Sequence, residues 1–407
     1  MGIVQAANRE SLRRRNLASV LAHVHRAGQI SRSALTASTG LNRSTVGALV
    51  ADLVARGLLE EGDPVGRGTP GRPSPQVRPH PNGPVVLAAE VEVSTISLAV
   101  AGLGGQLHHR VRVDRAVDRR TPEGTVEDLV TLIDSGLAQV SSGRPVLGLG
   151  VAVAGVVRRS DGFVHVAPNL LWRDVPLAQM LTQGLASGLP VHMGNDADLG
   201  AMAEHIRGAG VGVDDLIYLA SEVGVGGGII IDGRPLTGAA GYAGEIGHIA
   251  VNPGGAECRC GARGCLEAES GEWALLRHMG RANPNEREAV DEVLAEAAIG
   301  APDALEALAT IGRWLGIGLA DLVNIFNPNR VVLGGLFSKA YPYLSEAVTE
   351  QLEEHAQRPN RAMVTVVPAQ LGDDSALLGA VELAFAPLLA DPAVIRLPGE
   401  TGQVVSA

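Results

Sequence analysis

Among the 407 residues there are only three cysteines, Cys258, Cys260 and Cys265, all within eight positions of one another. An odd, clustered set makes a poor disulfide framework and a good metal framework. The stretch just before it, Gly244-Glu245-Ile246-Gly247-His248, adds an imidazole. His248, Cys258, Cys260 and Cys265 together offer the four ligands of a closed tetrahedral site, which predicts one structural Zn2+ per chain. Gly261 and Gly264 allow the tight backbone such a loop needs. The bland alternative is three reduced thiols beside an unrelated histidine. A second group stands near the N-terminus. Asn42, Arg43, Ser44 and Thr45 follow one another, and Arg and Asn are the side chains that read guanine and adenine edges. Arg67 and Arg72 lie in a glycine- and proline-bearing stretch, Gly66 to Pro73, where they would grip phosphates.

These residues need elements to hold them. Leu17, Val20, Leu21 and Val24 recur at helical spacing over Leu12 to Arg26, and Gly28 ends that helix. Ser31 caps a short second helix that Gly40 turns. A third runs from Asn42 through Val46, Leu49, Val50 and Leu53 to Gly57. Helix, short turn, helix is a helix-turn-helix, with Asn42 to Thr45 at the base-reading end. Leu58 and Leu59 read as a strand, and the basic loop after them as a wing. The same helices would also suit a small protein-binding module. The expected DNA-binding unit is 1–75. Prolines 73, 75, 79, 81 and 84 predict an extended linker over 76–84. Beyond it, apolar runs at Val85–Val100, Val146–Val157, Leu216–Ala220, Ile229–Ile231 and Val331–Leu333 alternate with helical stretches, an α/β pattern over 85–390. The segment 391–407 has no periodicity and is expected to be a flexible tail.

Charge is unevenly spread. Residues 1–80 hold 11 Arg against 5 Asp or Glu, while the whole chain carries −11, leaving −17 for the remainder. A basic head on an acidic body suggests that the head meets a polyanion. No window approaches the ~20 apolar residues of a membrane span, and the clustered thiols suit a reducing compartment. No membrane partner and a cytoplasmic location are expected.

The stretch GYAGEIGHIAVNPGGAECRCGARGCLEAESG resembles the signature of the ROK family (repressors, open reading frames and kinases), and the likeness extends from 85 to about 390. The resemblance implies a two-lobed actin/sugar-kinase (ribonuclease H-like) domain, here preceded by an all-α/winged helix-turn-helix head as in the repressor branch. It implies sugar contacts by Asn169, in Ala-Pro-Asn-Leu-Leu-Trp; by Asn195 and Asp196, in Asn-Asp-Ala; by Glu245 and His248, in Glu-x-Gly-His; and by Glu267, after the last cysteine. His248 would bind zinc through its other nitrogen. Carboxylates and amides suit sugar hydroxyls.

Family kinases carry Asp-x-Gly-Gly-Thr after their first strand; here the stretch is Glu90-Val91-Glu92-Val93-Ser94. Their second phosphate loop, Gly-Thr-Gly-x-Gly-Gly-Gly, is replaced by Glu222-Val223-Gly224-Val225-Gly226-Gly227-Gly228. Lost glycines and added carboxylates oppose a bound phosphate. The resemblance therefore implies a sugar-responsive regulator, a repressor of carbohydrate genes, with no catalytic residue and Asp196 as a vestigial base. Operator DNA, a sugar effector and a second copy of the chain, as dimer or tetramer, are the expected partners. The heads would hang on the linker from hinging lobes. The enzyme alternative is an ATP-dependent, glucokinase-like sugar kinase with a regulatory head. A further alternative keeps the head but gives the cleft a non-sugar ligand or a protein partner. Ala154-Gly155 stands where kinases and many repressors have Pro-Gly, which leaves the identity of the sugar open.

Overall fold

The computed structural model describes residues 2–63, 74–281 and 286–395. The head comprises α1 (Gly2–Ala27), β1 (Ile30–Ser31), α2 (Arg32–Thr39), α3 (Arg43–Ala55), β2 (Leu59–Gly62) and β3 (Gln76–Pro79). Ser31 Oγ accepts the Ala34 N–H to cap α2, and Gly40, at φ 66°, ends it in the left-handed region where a Cβ is costly. Leu17, Val20, Leu21 and Val24 of α1 meet Leu35 of α2 and Val46, Leu49, Val50 and Leu53 of α3 in one buried cluster. The helical stripes thus close on each other, as amphipathic helices must. α1 begins well before its apolar stripe, because no proline or glycine interrupts residues 3–11.

Gln76–Pro79, expected within a linker, is instead the central strand of a three-stranded sheet ordered β1-β3-β2. Pro75 precedes the strand and Pro79 is its last residue, opposite Leu59, so Gln76, Val77 and Arg78 keep their N–H groups for the ladder. Val77 is fully buried, and Arg78 lies opposite Glu60 and donates to it at 2.6 Å. The basic loop with Arg67 and Arg72 lies outside the described residues.

The first lobe follows: β4 (Val85–Val91), β5 (Thr95–Gly102), β6 (Leu107–Asp114), α4 (Pro122–Ala138), β7 (Val146–Val153), β8 (Val156–Arg158), β9 (Phe163–Ala167), β10 (Trp172–Val175), α5 (Leu177–Gly184), β11 (Val191–Asn195) and α6 (Asp196–Arg207). Its main sheet runs β11-β7-β4-β5-β6, parallel across β11, β7 and β4 and antiparallel beyond. The second lobe contains β12 (Leu216–Ser221), β13 (Val225–Ile231), β14 (Arg234–Pro235), α7 (Leu266–Ser270), α8 (Glu272–His278), α9 (Glu286–Ala298), α10 (Pro302–Phe326), β15 (Arg330–Gly334), α11 (Gly335–Lys339), α12 (Tyr341–His355), α13 (Arg358–Met363) and β16 (Thr365–Pro368), in a sheet ordered β14-β13-β12-β15-β16. α14 (Ser375–Ala390) then returns to the first sheet. There Gly150 gives it room: a Cβ on that glycine would lie 2.0 Å from Ala380 O.

This is the two-lobed actin/sugar-kinase architecture, with α6 wedged between the sheets. α6 presents small residues to β13. A Cβ on Gly226 would come within 2.8 Å of Ala197 Cβ, and one on Gly228 within 2.5 Å of Ala201 Cβ. The glycine run after Glu222 is therefore a packing surface for a helix. α10 is the one helix among the described residues long and apolar enough to cross a membrane, but its apolar stripe, from Ala304 to Val323, is buried in the core of the second lobe.

The head does not hang free. Its core is continuous with Val86, Ala88, Ala99 and Ala101 of the first sheet and with Leu377, Val381 and Phe385 of α14. Nor are residues 391–395 loose: Pro392 is buried, Arg56 donates to Ile395 O, and Arg14 lies 3.6 Å from Asp391. Apolar contacts with α1 outweigh the absence of periodicity there. Residues 396–407 lie outside the described residues.

Candidate functional site

The thiols and imidazole converge. The ligand atoms of His248, Cys258, Cys260 and Cys265 all lie within 4.8 Å of one another. His248 Nδ1 is 3.7 Å from Cys258 Sγ, and Cys260 Sγ is 3.8 Å from Cys265 Sγ. Four ligands at Zn–S bonds of about 2.3 Å would sit ~3.8 Å apart in a tetrahedron, so the set fits a metal ion. Burial pushes the Cys258 and Cys265 thiols up. Thiolates in this pocket need a cation beside them. The loop closes on itself through Cys258 N–H to Ala262 O and Val251 N–H to Gly264 O.

The remaining polar residues form a chain of neighbours across the cleft. Glu267, the first acid of α7, sits beside the thiols: its Oε1 accepts from Cys258 Sγ at 3.5 Å and its Oε2 from the Val225 N–H at 2.9 Å. A Cβ on Gly224 would stand 2.6 Å from Glu267 Oε2 and 3.0 Å from Asn169 Nδ2, so only glycine leaves these two groups facing each other. On the other side, His248 Nε2 faces Glu245 Oε2 at 4.0 Å. Glu245 in turn helps raise Asp196. Asn195 caps α6 by accepting the Asp198 N–H at 3.0 Å and donates to Gly155 O at 3.0 Å. The cap binds the β7–β8 turn to the start of α6.

Electrostatics set these carboxyls apart from surface acids. Burial pushes Asp196 up to about 6, aided by Glu92 and Glu245. Asp198, which the motif reading passed over, rises to about 7 by burial, held back by Arg159 and raised further by Asp196 and Glu245. It lines the same small cleft as Asn195 and Glu245, and its place in the first turn of α6 was the available signal. Arg259 was also missed, although it stands between Cys258 and Cys260. It donates to Asn169 Oδ1 at 2.5 Å and lies over the Trp273 ring, 5.2 Å from its centroid. A cavity of about 500 Å3, lined by Cys258, Arg259, Glu267 and Trp273, opens on that side. Carboxylates, amides and an imidazole nitrogen around an open cleft can hold several hydroxyls of a small polyol.

Acids gather around the end of β4. Glu90 is buried in β4 and raised well above the ordinary range by burial, then by Glu222, Glu92 and Asp196. Glu92 is bonded by Arg112 at 3.0 and 3.1 Å. Glu90, Glu92, Asp196 and Glu222 thus lie within electrostatic reach of one another, with Arg112 pairing one of them.

At the head, Arg43 and Ser44 are exposed at the start of α3 and Thr45 is partly buried. Asn42 Oδ1 is committed to the cap, accepting from the Thr45 N–H and the Ser44 O–H, both at 2.8 Å. Its amide N–H groups, Arg43 and Ser44 are what this end presents. Arg13 of α1 and Arg56 at the end of α3 instead bind Asp52, at 2.5 and 2.7 Å, and the first of these holds α3 to α1.

Comparison with known families decides the lineage: the ROK family model matches residues 86–386, and a MarR family model matches 17–68. The chain belongs to the ROK family. It is 29% identical over 377 residues to the xylose repressor of Caldicellulosiruptor bescii, covering 89% of this chain and 93% of that one. It is 33% identical over 282 residues to the glucokinase of Streptomyces coelicolor, covering 65% of this chain and 88% of that one. A crystal structure of a ROK family transcriptional regulator, homologous to the E. coli MLC protein, superimposes with a TM-score of 0.75 at 24% identity, over 93% of this chain and 97% of that one, which supports the fold.

Proposed function

We propose that this ROK protein is a sugar-responsive DNA-binding regulator, a repressor of genes for carbohydrate uptake and breakdown. The observation that carries this is coverage. A xylose repressor aligns over 89% of the chain, whereas the glucokinase match spans 65%. The head binds operator DNA, with Arg43, Asn42, Ser44 and Thr45 at base edges and Arg67 and Arg72 of the wing on phosphates or in the minor groove. Two copies read half-sites about one helical turn, ~34 Å, apart, as a dimer or within a tetramer. The head, through β3 at Gln76–Pro79, is the DNA-binding unit and 85–390 the sugar-binding unit, in the cytoplasm with the DNA.

The effector is a monosaccharide held by Asn169, Asn195, Asp196, Glu245, His248 and Glu267. Zn2+ on His248, Cys258, Cys260 and Cys265 holds the loop that presents His248 and Glu267 to it. Asp196 does no chemistry here: the carboxyls around Glu90 oppose a nucleotide phosphate, and no kinase activity is expected. Calorimetry over a panel of monosaccharides, with and without magnesium-ATP, tests this. Binding without turnover is expected. Sugar phosphate formed at ordinary kinase rates, ~1–100 per second, would establish the enzyme alternative.

A further inference from the structure

The two ends of α6 meet different partners. Asn195 and Asp196, candidate sugar contacts, stand at its N-terminus. Its last residue, Arg207, reaches the head. Arg207 Nε donates to Glu382 Oε1 of α14 at 2.7 Å, and Nη1 donates to Gly104 O at 2.7 Å and to His25 O at 3.3 Å. His25 lies in the last turn of α1. Its Nδ1 accepts the Gly104 N–H at 3.0 Å, which places the ring proton on Nε2, and Nε2 donates to Glu382 Oε2 at 2.8 Å. Arg207 Nη2 lies 2.7 Å from the same nitrogen, a donor kept beside a donor by the carboxylate they share. The His25 and Glu382 side chains are 1% and 2% exposed, and that of Arg207 is 11% exposed. A Cβ on Gly105 would fall 2.6 Å from the Arg207 guanidinium, so the turn between β5 and β6 is shaped to admit it.

One buried carboxylate thus joins the first helix of the head, the turn of the first sheet, α14 and the far end of the helix that begins at the candidate sugar site. α6 spans about 18 Å at 1.5 Å per residue. It packs on β13 of the second lobe through Ala197 and Ala201 and on α14 through Leu199. A packed helix moves as a body, and its two ends cannot shift independently. We infer that Arg207, Glu382 and His25 form the joint that passes the state of the sugar cleft to the DNA-binding head. Arg207 is a positioning residue for operator affinity and touches neither sugar nor DNA. This rests on the regulator reading above.

The test uses the full chain, a DNA site enriched by the protein from a random-sequence pool, and D-xylose or whichever monosaccharide of the calorimetric panel binds. Wild type is expected to change operator affinity about 5–150-fold on sugar binding, with DNA changing sugar affinity by the same factor. Glu382→Gln and the apolar triple Arg207→Met/Glu382→Leu/His25→Leu, which leaves no lone buried charge, are expected to bind the sugar within about threefold of wild type while that factor falls toward one. A purely structural role would lower stability and leave the reciprocal factor unchanged. If one variant fails to fold, the other decides. A folded variant as sugar-sensitive as wild type overturns the joint and spares the regulator reading. A wild type that binds DNA but responds to no sugar in the panel overturns both.

Discussion

Asp198 has a consequence that can be read by titration. Its carboxyl is raised to about 7 and that of Asp196 to about 6. Both hold a proton in the folded chain where the unfolded chain has already lost it. The stability they allow is therefore fully present below about pH 4, is eroded as pH rises from there, and is lost once pH has passed about 6 to 7. Asp198→Asn should gain stability on wild type between pH 5 and pH 8, by roughly 1–3 kcal/mol. Thermal melts that track each other across that range would show that Asp198 is ionised at little cost. Glu382 behaves in the opposite sense: burial alone would raise it, but His25 and Arg207 hold it below its ordinary value, so its contribution is lost on acidification. The metal cluster gives a second residue-scale expectation. Protein purified without added metal should carry one zinc per chain by elemental analysis, and Cys260→Ser should lose the metal and with it sugar affinity. A metal-free chain that binds sugar normally would leave the ligands without a structural role. This cluster was legible in the sequence because thiol chemistry narrows the options and all four ligands lie between positions 248 and 265. The joint at Glu382 was not, because His25, Arg207 and Glu382 are hundreds of positions apart and each alone reads as an ordinary surface residue.

The elements explain why some motifs mean two things. Gly226 and Gly228 were read through the phosphate loop of the kinases, yet they stand in β13 beneath α6. Gly228→Val should force α6 off the second sheet and cost roughly 1–3 kcal/mol by overpacking, with sugar affinity falling alongside because Asn195 and Asp196 move with the helix. A melt and a calorimetric titration of the same variant check both; full stability with valine in place would mean that helix and strand are not in contact. The helices of the head were plain from their spacing, since local stripes of Leu and Val specify local burial. β3 was hidden by its neighbours: proline content predicts an extended chain, but the pairing of Val77 with Ile30 and Glu61 depends on partners elsewhere in the chain. Extended chain and strand have nearly the same backbone, and only the partner tells them apart.

At the scale of the molecule, the docking of the head on α14 and on residues 391–395 sets an order of events. The helices of the head leave the ribosome before the segment that clamps them, which comes some 300 positions later. At ordinary synthesis rates of about 5–20 residues per second this is a delay of roughly 15–60 seconds. During that interval a nascent head can fold its own Leu and Val core but has neither α14 nor Glu382 to rest on. In a bacterium, where messages are translated beside the chromosome, such a head would be close to DNA before any sugar could govern it. The seal on α1 is thus also a timing device: control by the effector begins only when α14 has been made.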